Sequence, residues 1–191
     1  MKPFFRSLAL AAALAPFTLM PGSASAVEYS QLQPAASKVG FQYQQLGVKL
    51  DGHFKKFSSD IRFDPAKPES ARAALEVDLG SVDAGSADAD SELVKPEWFN
   101  LPKFPSARFE ASSITPKGEG NYEIAGKLTI KGQSKDISFP ATFKGDGKVG
   151  AFAGSLTIKR NDFKIGEGEW ASSEIVADEV KVSFDLKVAA Q

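Results

Sequence analysis

From Val39 to Val188 apolar and polar residues take turns along most of the chain, and few folds accommodate that pattern. Side chains on a β-strand change face at every residue, so an alternation of period two describes strands greasy on one side and wet on the other. The clearest example is Gly126–Pro140. Tyr122, Ile124, Leu128 and Ile130 share one face of a first strand, Ile137, Phe139, Ala141 and Phe143 share one face of a second, and Lys131-Gly132-Gln133 makes the turn.

Other segments repeat the theme. Val39, Phe41 and Tyr43 alternate with Gly40 and Gln42. His53–Phe63 reads as one longer strand with a bulge at Ser58-Ser59, ended by the Pro65 and Pro68 turn. Ala71, Ala73, Leu75, Val77 and Leu79 oppose Arg72, Glu76 and Asp78. Ala107, Phe109 and Ala111 form a short strand, Val149–Ile158 another, and Val180, Val182, Phe184, Leu186 and Val188 a last one.

Ser86–Phe99 breaks the rhythm. Asp88, Asp90 and Glu92 suit the first turn of a helix, where backbone N–H groups lack partners. Pro96 ends that helix near Lys95, and Trp98-Phe99 follow as an aromatic plug, either capping the core or standing beside a ligand. The expectation is one all-β domain of about eight antiparallel strands with one short helix. Such strands build a solid sandwich or a closed barrel whose interior holds a small ligand, and pattern alone does not choose.

The N-terminus predicts an address. Lys2 and Arg6 precede an apolar run from Leu8 to Met20, and Ala24-Ser25-Ala26 has the small-x-small form of a signal-peptidase site. Residues 1–26 are therefore expected to be cleaved, leaving a folded domain over 27–191 that is exported from the cytoplasm. The apolar run is too short to cross a bilayer. Cleavage removes Lys2 and Arg6 and no acid, taking the formal charge from −1 to −3, which speaks against nucleic acid, whose binding demands a basic surface. The chain has no Cys, so in an oxidising compartment its stability must come from burial.

Catalytic chemistry finds little footing. His53 is the single His, no Gly-x-Ser-x-Gly elbow accompanies it, and clustered His or Cys zinc ligands are lacking. Asp88–Glu92 does not make a calcium loop, because Leu93 stands where the required Gly would be. The expectation is a protein that is not an enzyme and has no metal. The positive signal is the recurrence of aromatic residues on inward faces, at Phe41, Tyr43, Phe63, Phe109, Phe139, Phe143 and Phe184. They make either a tight core or the wall of an apolar site.

Four stretches carry a family resemblance: Ala89–Phe99 with its Glu-Trp-Phe, Phe104-Pro105-Ser106-Ala107-Arg108-Phe109, Gly126–Gly132 with its Leu-Thr-Ile-Lys-Gly, and Arg160-Asn161-Asp162-Phe163. In this order they resemble the YceI-like family of periplasmic polyisoprenoid-binding proteins. The resemblance implies a lipocalin-like eight-stranded antiparallel β-barrel around an elongated apolar tunnel. It also implies a non-catalytic carrier for a long-chain isoprenoid or related amphiphilic lipid, of polyprenyl or isoprenoid-quinone type, with no cofactor besides that lipid. The tunnel wall is then expected to include Phe41, Tyr43, Phe63, Leu75, Val77, Trp98, Phe99, Phe109, Leu128, Ile130, Ile137, Phe139, Phe143 and Phe184, with Arg160 and Asp162 near a mouth or headgroup. Lys164 departs from the family, which commonly has Gly there. Transient contact with a membrane or a membrane redox protein, and pairing as a homodimer, are the further partnerships expected. The alternative from another class is a stress-related interaction protein with a solid core and no lipid.

Overall fold

The computed structural model describes residues 27–190. The expected leader, residues 1–26, lies outside the described residues. Eleven strands follow in chain order: β1 (Tyr29–Leu32), β2 (Lys38–Gln45), β3 (Val48–Phe54), β4 (Phe57–Arg62), β5 (Arg72–Asp78), β6 (Val82–Asp83), β7 (Ser106–Gly118), β8 (Asn121–Ile130), β9 (Gln133–Asp146), β10 (Val149–Lys159) and β11 (Glu179–Ala190). One α-helix, α1 (Ala87–Leu93), stands between β6 and β7. It starts at Ser86, whose hydroxyl accepts from the Ala89 N–H at 3.2 Å, as an N-cap should.

All strands belong to one antiparallel sheet, ordered β4-β5-β7-β8-β9-β10-β11-β2-β3-β6. β3 and β4 are successive pieces of one run of chain, interrupted at Lys55-Lys56; β3 pairs with β2 and β4 pairs with β5. Both ends of the sheet thus meet on the same stretch, and the sheet curls round into a barrel. Counting β3–β4 as one broken strand recovers the eight expected. The additional two are short fillers where that strand splays. β6 pairs with β3, and β1 pairs with β11 while Tyr29 and Phe63 exchange backbone hydrogen bonds of 2.9 and 3.0 Å. A sandwich is ruled out by this closure.

Two details differ from the alternation pattern. The expected bulge at Ser58-Ser59 does not form, since Ser58 and Ser59 pair regularly with Glu76 and Leu75; the strand breaks instead at Lys55-Lys56, where Lys55 and Ser81 join backbones at 3.0 Å. The strand around Ala107–Ala111 runs on to Gly118, its register shifting between Ala111 and Ser113.

Three hairpins turn on the same device. Leu46-Gly47, Glu119-Gly120 and Lys131-Gly132 all have positive φ at both residues: 48° and 82°, 52° and 75°, 49° and 71°. Such turns match the right-handed twist of paired strands. Leu46 suits its turn poorly, because a branched side chain strains the left-handed conformation and Leu46 is 72% exposed, with little packing in return. Leu46→Asn should raise stability by about 1 kcal/mol, or about 2–4 °C in thermal unfolding. An unchanged or lower melting temperature would contradict this account of the turn.

Packing is dense at both ends of the barrel. Tyr29, Phe63, Tyr122, Phe143 and Phe152 stack at one end, with ring centroids of 4.6 Å for Phe143–Phe152 and 4.7 Å for Phe63–Phe143. Trp98, Phe99, Phe163, Ile165 and Val176 pack at the other, beside α1.

Candidate functional site

Between these two packed ends lies an elongated cavity of about 540 Å³, within the roughly 300–1,000 Å³ of small-molecule sites. Its wall is apolar because the inward face of nearly every strand is. Phe41, Tyr43, Leu75, Val77, Phe109, Leu128, Ile130, Ile137, Phe139 and Phe184 all border it, and Trp98 and Phe99 close over it at the α1 end. Phe41, Tyr43, Leu75, Phe109, Leu128, Ile137 and Phe184 are only half-buried although they face inward, since open space rather than another side chain lies over them. The solid core of the alternative reading is not what the chain builds.

Three expected residues lie elsewhere. Phe63 and Phe143 belong to the sealed aromatic end and do not border the cavity; their strand positions lie beyond the point where rings from opposite walls meet. Asp162 is exposed outside the cavity. Residues left out of the expected wall include Phe54, Leu156, Ile158, Val180 and Val182. Val180 and Val182 carried the same alternation as Phe184, so their place was legible. Leu156 and Ile158 alternate in the same way along β10 and were legible too.

Glycines make room for the rings. A methyl carbon at Gly52 would sit 2.2 Å from the Phe41 ring, one at Gly154 2.6 Å from Phe184, and one at Gly126 2.7 Å from Phe109. Each ring lies flat over a strand that offers no side chain there, and the bore stays open. Gly126 of the β8–β9 hairpin serves this purpose for Phe109.

The α1 end is held by two buried cations. Arg160 is 1% exposed. Its guanidinium donates to the carbonyls of Ala177, Ile165, Gly166, Trp170, Ser172 and Val176 and to the Asn161 side chain, at 2.7–3.2 Å. All its N–H groups are engaged, so although Arg160 borders the cavity it has no donor left for a headgroup. Burial lowers its pKa, Asp178 partly opposing the shift, and an arginine so placed stays charged. Gly166, at φ 79°, passes close over it; a side-chain carbon there would meet the guanidinium at 2.3 Å. The turn after Phe163 closes through Lys164 at φ 55°, the left-handed conformation that explains a preference for Gly at this position.

Lys131, expected to be an ordinary turn residue, is 5% exposed. Its ammonium donates to the Lys164 carbonyl at 2.7 Å, the Glu97 carbonyl at 3.2 Å and the Glu167 carboxylate at 2.9 Å. It thereby ties the β8–β9 turn to the aromatic plug and to the loop after β10. Lys131→Met keeps the stem and removes the donors, and should cost about 1.5–3 kcal/mol in denaturant unfolding, the range for hydrogen bonds to a charged group. A loss below about 0.5 kcal/mol would show that water replaces the ammonium without penalty.

Polar residues at the cavity border include Gln45, Ser86, Asp88 and Glu92 at the α1 end, and Ser59 and Arg108 on the wall. Tyr43 donates to the Ala84 carbonyl at 3.2 Å, and its pKa is raised by burial first and by Asp90 second. His53 is exposed on β3, does not border the cavity and does not meet Arg160.

Known proteins show the same architecture. A family model described as a YceI-like domain matches residues 31–188. A UPF0312 protein of Ectopseudomonas mendocina is 34% identical over 176 residues, covering 88% of this chain and 92% of its own. The crystal structure of Burkholderia cenocepacia BcnA superposes with a TM-score of 0.80 at 39% identity, over 82% of this chain and 99% of that one. A polyisoprenoid binding domain from Saccharophagus degradans, implicated in plant cell wall breakdown, superposes with a TM-score of 0.67 over 87% of this chain and all of that one. At 17% identity the last is a likeness of fold.

Proposed function

Because the chain belongs to the YceI-like family, we propose that it binds a long-chain isoprenoid or related amphiphilic lipid, of polyprenyl or isoprenoid-quinone type, and carries it through the periplasm without catalysis. The observation that carries this reading is the 540 Å³ cavity, lined from almost every strand by apolar side chains that stay half-buried for want of a partner. The chain shares its fold with a polyisoprenoid binding domain, which supports the choice of ligand class. Removing apolar surface from water favours binding by roughly 25 cal/mol per Å², so a long apolar chain gains affinity along its whole length. The headgroup sits at the α1 end, near Gln45, Ser86 and Glu92, with Arg160 too fully engaged to take part. Selectivity for the headgroup is accordingly loose. Residues 1–26 act as the export signal and 27–191 as the carrier domain.

Native mass spectrometry of protein purified gently from a periplasmic extract tests the proposal. The expected result is a mass increment that extracts into organic solvent as a polyprenyl compound. If the protein always appears as bare polypeptide and no polyprenol can be loaded, it is not a lipid carrier.

A further inference from the structure

The barrel wall is not continuous. β9 and β10 pair from Asp146 opposite Val149 as far as Ala141 opposite Gly154, and there the ladder stops. Beyond that point Gln133–Pro140 is paired only with β8, and Ser155–Lys159 only with β11. Pro140 stands at the fork, and without an N–H it cannot supply the next rung. Far above the fork the two sides are joined again, where Lys131 of the β8–β9 turn holds the Lys164 carbonyl beyond β10 at 2.7 Å. Between fork and clamp lies a slot in the wall.

The slot lies against the cavity wall. A second depression of about 440 Å³ lies at this place, and Ile137, Phe139 and Leu156 border both it and the main cavity. Its outer rim is Ser138, Pro140, Ser155 and Thr157, without a single formal charge. The α1 end, by contrast, has the charged residues Asp88 and Glu92 among those bordering the cavity, Glu92 paired with Lys95, and an apolar tail moving past them must strip water from charged groups.

Taking the cavity as the lipid site proposed above, we infer that the ligand's apolar chain enters and leaves sideways through the slot between β9 and β10, not lengthwise past α1. A chain laid in through its side transfers a few carbons at a time from one apolar surface to another. End-on threading drags its full length past a charged rim. The unpaired strand edges line the passage, their charged residues Lys135, Asp136 and Lys159 standing farther from the fork than the uncharged rim.

Because the chain has no cysteine, single thiols report on each route. Thr157→Cys and Ser138→Cys place one on either exposed rim of the slot, and Ala87→Cys places one at the exposed start of α1, outside the cavity lining. Each folded variant is alkylated with a bulky maleimide, and uptake of all-trans-retinol is followed by energy transfer from Trp98 and Trp170 at the cavity border. The expected result is uptake slowed at least tenfold by an adduct at Thr157 or Ser138, with equilibrium affinity changed less than threefold and the Ala87 adduct like the unmodified protein. Slowing by the Ala87 adduct alone, or by none of the three, overturns the side entry. Failure of the unmodified protein to take up retinol or polyprenol at all removes the carrier reading itself, a separate outcome.

Discussion

Replacing Arg160 by methionine should lower stability by at least about 3 kcal/mol, since each buried acceptor left without a partner costs about 1–3 kcal/mol. The side chain serves six backbone carbonyls spread over residues 165–177. Methionine fills similar space and satisfies none of them. For a chain of this length the loss corresponds to roughly 6–12 °C in thermal unfolding. Arg160→Lys should recover little, because an ammonium has three donors on a flexible stem where a planar guanidinium presents five. The same loop contributes Trp170 and Val176 to the cavity border, so the loosened variant should also bind retinol more weakly. A melting temperature within about 2 °C of the parent would show that water takes over the carbonyls, and the loop would then owe its shape to other contacts.

Gly52→Ala should weaken ligand binding roughly 50-fold while leaving the barrel folded. The added methyl would sit 2.2 Å from the Phe41 ring, and since the obstacle is a side chain facing open space, the ring swings into the bore. Filling about three methylenes' worth of ligand contact, at about 0.8 kcal/mol each, amounts to about 2.4 kcal/mol. Phe41→Leu introduced into the same chain removes the ring and should restore most of the affinity. Retinol titration of parent, single and double variants reads the cycle. Unchanged affinity in Gly52→Ala would mean that Phe41 finds room outside the ligand's path, and a double variant no better than the single would mean that the loss comes from the strand. Gly126 does not offer the same experiment, because its added carbon would also lie 2.3 Å from the Glu110 carbonyl oxygen and disturb the backbone.

How much was legible follows from range. The β8–β9 hairpin shows its faces in the sequence because Leu128, Ile130, Ile137 and Phe139 obey a local rule, the alternation of side chains, and the barrel keeps them inward. Val180, Val182 and Phe184 obey it too. The strand break at Lys55-Lys56 has no such local signature, since it forms where Ser81, remote in the chain, draws the Lys55 backbone into a hydrogen bond. Phe63 and Phe143 alternate like the wall residues and still miss the cavity, because their distance from the barrel's end, a property of the closed sheet, decides whether rings meet or stand apart.

The Gly126–Pro140 hairpin holds both kinds of information. Alternation and the Lys131-Gly132 turn were determined by the sequence itself, through sterics that act between neighbouring residues. Only the tertiary structure decided that Lys131 turns inward to clamp Glu97, Lys164 and Glu167, and that Arg160 spends its donors on the backbone. It alone also decided that the interior stays open and that the wall parts beside Pro140. Each of these depends on groups far apart in the chain meeting at a few ångströms, which periodicity in one strand does not encode.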